Sequence, residues 1–171
     1  MFRSIPYLGM TVVLLFLQIF LLDELSIAMW LRPMVFPLIV VLLPMEWRTI
    51  WVMLATLAVG VAMDVTLGGA GLYTATLLPL VVIRHWILYI TTGRRVESGD
   101  QSSLLSRMTL RQLMIYVVAM LGLHHIMFFG LEALSFAAPL RLVATILFST
   151  LLSAIIAWPI LRLFISKIVA R

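Results

Sequence analysis

Few residues in this chain can do chemistry, and Asp64 is the first to account for. It stands inside the run Gly60-Val61-Ala62-Met63-Asp64-Val65-Thr66-Leu67-Gly68-Gly69-Ala70-Gly71-Leu72-Tyr73, between two long apolar stretches. A carboxylate facing lipid costs roughly 2.5–3.5 kcal/mol on insertion scales. The glycines let backbone turn, or approach another backbone, with no Cβ in the way. Two roles are open to Asp64: a polar contact tying its helix to a neighbour or a partner's helix, or a carboxylate held in water at the end of a span. A proton relay would need more buried ionisable groups than the chain supplies.

His124 and His125 lie inside another apolar run, and Glu132, seven residues beyond His125, falls on about the same helix face. Such a set invites a metal ion. There is, however, no His-Glu-x-x-His pattern and no second Asp/His cluster to complete a coordination shell, so no metal is assigned. Interhelical hydrogen bonding is the role the histidines suggest. Glu132 and Arg141 flank a short turn and can pair across it, while Arg84-His85-Trp86 read as snorkelling and aromatic anchors near a helix end; Arg84, Glu132 and Arg141 are also candidates for interhelical polar contacts. Ser149, Ser153 and Ala157 form a ridge of small residues at i, i+4 and i+8, a plausible docking face for a helix. No serine has a nucleophile-elbow setting, and Gly68-Gly69-Ala70-Gly71 lacks the lysine of a phosphate loop. No catalytic residue and no cofactor is assigned.

Composition says where these residues must sit. Of 171 residues, 64% are hydrophobic and 11% charged, whereas a soluble domain carries about 25% charge. The chain reads as an all-α integral membrane protein, a single polytopic domain over 1–171. Cysteine is absent, which removes disulfides, thiol catalysis and thiolate metal ligation. A net charge of +5 would suggest nucleic acid in a soluble protein; here it reads as basic loops against anionic lipid, with no nucleic-acid partner.

Six apolar runs are separated by prolines, glycines and charges: 5–22, 33–45, 49–64, 72–90, 111–132 and 140–161. The first is read as an uncleaved helix, despite Arg3 before it and a weak small-x-small pattern at Ser26-Ile27-Ala28. The second, bracketed by Pro33 and Pro44 with Pro37 inside, is short for about 30 Å of hydrocarbon, which needs about 20 helical residues. It is either a short helix or a partly re-entrant one. Residues 91–110 make the long polar loop, where Ser102-Ser103 and Thr109 are candidate helix caps. With six spans and both termini cytoplasmic, all twelve basic residues except Arg32 and Arg141 fall on the inner side. Asp23, Glu24, Asp64 and Glu132 then lie toward the outer face.

The pattern Gly60-x-x-x-Asp64-x-x-x-Gly68-x-x-Gly71-Leu72, followed twenty residues after the Asp by Arg84, resembles the MreD family of rod-shape proteins. Arg32-Pro33, Pro44, Arg94-Arg95 and the stretch 123–133 around His124-His125 agree with it. Ala70 departs from it, standing where many members carry proline. The resemblance implies a non-enzymatic scaffold in the bacterial cytoplasmic (inner) membrane. Its implied partners are MreC, MreB and the glycosyltransferase–transpeptidase pair that builds lateral peptidoglycan. Gly60, Asp64, Gly68, Gly71 and Leu72 carry over as partner-binding or structural positions. The alternative is a substrate-binding membrane subunit of a vitamin-type transporter, with the 60–73 turn closing over a small molecule.

Overall fold

The computed structural model describes residues 5–23, 31–44, 47–93, 108–133 and 138–169, with side chains from Tyr7 to Leu163. Arg3, Glu24, the Ser26-Ile27-Ala28 pattern, Arg94, Arg95, Arg107, Ser102-Ser103 and the side chains of Lys167 and Arg171 lie outside the described residues. Every regular element described is a helix. They are α1 (Ile5–Leu17), continued by a π-helical turn (Gln18–Leu22), α2 (Leu38–Leu42), α3 (Thr49–Leu67), α4 (Leu72–Thr92), α5 (Leu110–Glu132) and α6 (Pro139–Val169).

Helices α3, α4, α5 and the Pro139–Leu163 part of α6 are each long and apolar enough to cross a membrane; Tyr7–Leu22 is apolar but shorter. Their outward faces carry Leu8, Val12 and Phe16 on α1, Phe20 on the π turn, Val82, Trp86 and Ile90 on α4, and Leu147, Leu151 and Ile155 on α6. A water-soluble monomer does not expose apolar surface so continuously, so the helical chain is a membrane protein. Lipid tails are as apolar as leucine, so transfer from water drives no packing inside the bilayer. Close contact and hydrogen bonds must hold the helices together.

Successive helices α3, α4, α5 and α6 pack as antiparallel neighbours, and α3 also meets the π turn after α1. At the start of α5, Thr109 Oγ1 accepts from the Gln112 amide at 3.3 Å while Gln112 Oε1 accepts from the Thr109 amide at 3.0 Å, a reciprocal cap. Helices α3 to α6 run longer than the apolar runs alone suggest, because their polar ends continue the helix into the flanking layer.

The second run departs most from a simple helix. Only Leu38–Leu42 is helical, and the residues from 31 to 35 have no helical structure. All residues from Pro33 to Pro44 are nevertheless buried, Val35, Phe36 and Leu38 completely. Prolines at 33 and 37 explain the break. A proline has no N–H to give a helix, and it pushes the residue before it toward extended backbone. The segment threads the middle of the bundle, with α2 against α1, α3, α4 and α5.

Candidate functional site

Non-helical backbone at membrane depth survives only where protein satisfies its polar groups. Three side chains do so for residues 32–35, through four hydrogen bonds. Gln18, turned inward on the π turn and 3% exposed, donates to the Pro33 carbonyl at 3.2 Å and accepts from the Val35 amide at 2.8 Å. Ser149 accepts from the Arg32 amide at 3.3 Å, and Ser153 from the Met34 amide at 2.8 Å. The Ser149/Ser153 ridge thus docks an extended strand of its own chain, where a helix was expected. Its small side chains let that backbone come close enough to bond.

Ser153 Oγ also lies 3.4 Å from His125 Nε2, and His125 Nδ1 lies 2.7 Å from the Leu121 carbonyl. A carbonyl can only accept, so Nδ1 carries the proton and Nε2 accepts from the serine hydroxyl. The pair has the form of a nucleophile and its base. Both residues are completely buried, and the serine is engaged by Met34, so the arrangement is a clasp on the segment. His124 stands edge-on to Phe36, ring centroids 5.1 Å apart, and beside Phe128 at 6.0 Å. Neither of its ring nitrogens has a hydrogen-bond partner among the described residues, and it packs as an aromatic. The described residues hold no group of three or more His, Cys, Asp or Glu side chains placed to bind a metal ion.

Of the two readings of Arg84, the structure has the interhelical contact and not the snorkelling. It is completely buried, and its guanidinium donates to the carbonyls of Val40 at 3.3 Å, Leu43 at 3.4 Å and Pro44 at 3.1 Å. These lie at the C-terminal end of α2, where carbonyls lack helical partners and the helix dipole favours a cation. Arg84 lies eight residues before the end of α4, about 12 Å along a helix, and its reach is spent on α2 within the bundle. Glu132 also pairs differently from the expectation. It binds Arg32 Nη1 at 2.9 Å, across from α5 to the entry of the threaded segment, in a largely exposed contact. Among the described residues Arg141 has no ion-pair partner.

Asp64 is the second centre. Its Oδ1 accepts from the Tyr73 amide at 3.0 Å; its Oδ2 accepts from the Thr74 amide at 3.0 Å and the Thr74 hydroxyl at 2.6 Å. Tyr73 and Thr74 are the second and third residues of α4, whose N-cap is Gly71, a residue with no side chain to cap with. Asp64 supplies the cap from the preceding helix, and its charge suits the positive end of the α4 dipole. Gly60, one turn earlier on the same face, makes this possible. A Cβ there would fall 2.7 Å from Thr74 Oγ1 and 2.8 Å from Thr74 Cα.

The turn itself needs left-handed backbone. Gly68 has φ 71° and Gly71 φ 91°, and the Gly69 amide returns to the Asp64 carbonyl at 3.0 Å in a Schellman closure of α3. Leu72 begins α4 and packs partly buried against the core. Asp23, Arg32, Glu132 and Asp64 all act electrostatically on Tyr73, so these charges lie toward the same end of the bundle.

No protein-family model matches the chain, and no curated protein or solved structure is significantly similar to it. The turn adds an observation of its own. Ala70 sits at φ 49°, which proline, locked near −65°, cannot adopt. A chain with proline at this place must build the turn differently.

Sequence reasoning overlooked Gln18 and left Arg84 open between a snorkelling group and an interhelical polar contact. A lone amide in an apolar helix, fifteen residues before a segment too short to span as a helix, was the available signal for the first. The number of residues between Arg84 and its helix end was the signal for the second.

Proposed function

We propose that this chain is a non-enzymatic scaffold of the bacterial inner membrane, of MreD type, that binds the single membrane helix of MreC and helps position lateral peptidoglycan synthesis. In this reading the chain crosses the bilayer six times with both termini cytoplasmic. The threaded segment supplies the second crossing. Residues 31–35, extended, cover about 16 Å at 3.3 Å per residue, and the eight to Leu43 about 12 Å at helical rise. Together they approach the ~30 Å of the hydrocarbon core.

The supporting observation is where the interior polar groups are used. Gln18, Asp64, Arg84, Ser149 and Ser153 all bind the chain's own backbone. The bundle's hydrogen-bonding capacity goes into shape, and what it offers its surroundings is apolar helix face, suited to another membrane helix. Depletion from a rod-shaped host should give rounded cells, and MreC should co-purify with the chain through its membrane helix. Normal cell shape with MreC still in place would reject this function. A retained vitamin-like molecule in native mass spectrometry, in place of a retained MreC-type chain, would favour the transporter alternative.

A further inference from the structure

Helices α1 and α3 run in the same direction but meet chiefly at the π turn, and toward the Trp47 end they leave a groove of 520 Å³ between them. Val12 and Leu15 form one wall, Ala55 and Ala58 the other, and Ile39 and Leu43 of the threaded segment the floor. Of the polar side chains in the lining, Tyr7 and Trp47 stand at one end, and the Thr11 hydroxyl is already bonded to the Tyr7 carbonyl at 2.9 Å. Nothing in the lining calls for a polar ligand. The groove ends at the Tyr7–Trp47 ring pair, centroids 6.2 Å apart. Arg48 follows at once, exposed and with no ion-pair partner among the described residues.

We infer that this groove holds one acyl chain of a membrane phospholipid, with the lipid phosphate at Arg48. Size suits one acyl chain. A methylene is about as large as a water molecule, whose share of liquid is roughly 30 Å³. A groove of 520 Å³ therefore takes about sixteen or seventeen of them, the length of a common acyl chain. Charge places the head group. The Tyr7–Trp47 pair marks the polar–apolar boundary as interfacial aromatics do, and a guanidinium just beyond it meets a phosphate with two parallel hydrogen bonds. The small side chains of Ala55 and Ala58 are what leave the space.

The test uses the full chain, delipidated in mild detergent and titrated with phosphatidylglycerol bearing sixteen-carbon chains, read by native mass spectrometry. One lipid should bind per chain. Ala58→Phe fills the groove and should weaken binding about tenfold or more. Arg48→Gln changes no packing residue, so it tests the site even if the first variant folds poorly. It should weaken phosphatidylglycerol binding about fivefold while leaving a hexadecyl alcohol bound as before. Unchanged lipid binding in both variants overturns the assignment. So does an Ala58→Phe chain that keeps its lipid but loses a co-purifying membrane helix, since the groove would then belong to that helix.

Discussion

Asp64 and Thr74 are joined twice: one carboxylate oxygen accepts both the backbone amide and the side-chain hydroxyl of Thr74, at 3.0 and 2.6 Å. The contact fastens the end of α3 to the start of α4. Asp64→Ala should therefore lower stability by about 1–3 kcal/mol, the range for a cap made with charge-assisted bonds. Unfolding in mixed micelles of rising SDS fraction measures it. Thr74→Ala should cost clearly less in the Asp64→Ala background than in the parent chain. Equal costs in the two backgrounds would mean that the pair is not coupled.

Gly60 controls whether that contact can form. Gly60→Ala places a methyl group 2.8 Å from the Cα of Thr74, which is backbone and cannot rotate away. The hairpin must open, and Asp64 loses its reach. Shortening the neighbour does not help, so Gly60→Ala should remain destabilised when combined with Thr74→Ala. Recovery of parental stability in that double variant would show that the hydroxyl alone makes the clash.

Arg84 holds three carbonyls that have no other described acceptor role in a helix. Arg84→Ala leaves them buried and unpaired, and should cost about 3 kcal/mol or more. Arg84→Lys should recover only part of this, because an ammonium is a point charge without the guanidinium fork. Equal stability of the lysine variant and the parent would argue that charge alone is needed.

The clasp on the threaded segment should respond in proportion to the bonds removed. Ser153→Ala orphans the Met34 amide and one His125 nitrogen, at a cost of about 1–3 kcal/mol. Gln18→Leu orphans the Val35 amide and the Pro33 carbonyl together, and should cost more. Hydrogen exchange at the Met34 and Val35 amides should rise selectively in the matching variant. Uniform change across the bundle would contradict local clasping.

The sequence made the class of molecule plain, because long apolar runs have few other uses. It located α3, α4, α5 and α6, and the left-handed turn at Gly68 and Gly71, since only glycine takes those angles freely. The threaded segment was harder to read. Its length and its prolines said that no ordinary helix fits between 33 and 45, but its stabilising partners lie on α1, α4 and α6, up to 119 residues away. Ser149 and Ser153 look the same in sequence whether they meet a helix or an extended strand. Arg84 near aromatic residues gives the same pattern whether it snorkels or turns inward. Asp64 was equally ambiguous, because water, a partner and the next helix can all satisfy a carboxylate at a helix end.

The dispersed origin of the clasp bears on how the molecule is made. When residues 33–44 leave the ribosome, Ser149 and Ser153 have not yet been synthesised, and at roughly 5–20 residues per second they follow on the order of ten seconds later. Until then the amides of Arg32 and Met34 lack the acceptors they have in the finished bundle. The nascent segment must wait in water, in the insertion machinery or in a provisional pairing. Its final seating is therefore a late event in biogenesis, and a chain stopped before α6 would be left with that seat unmade.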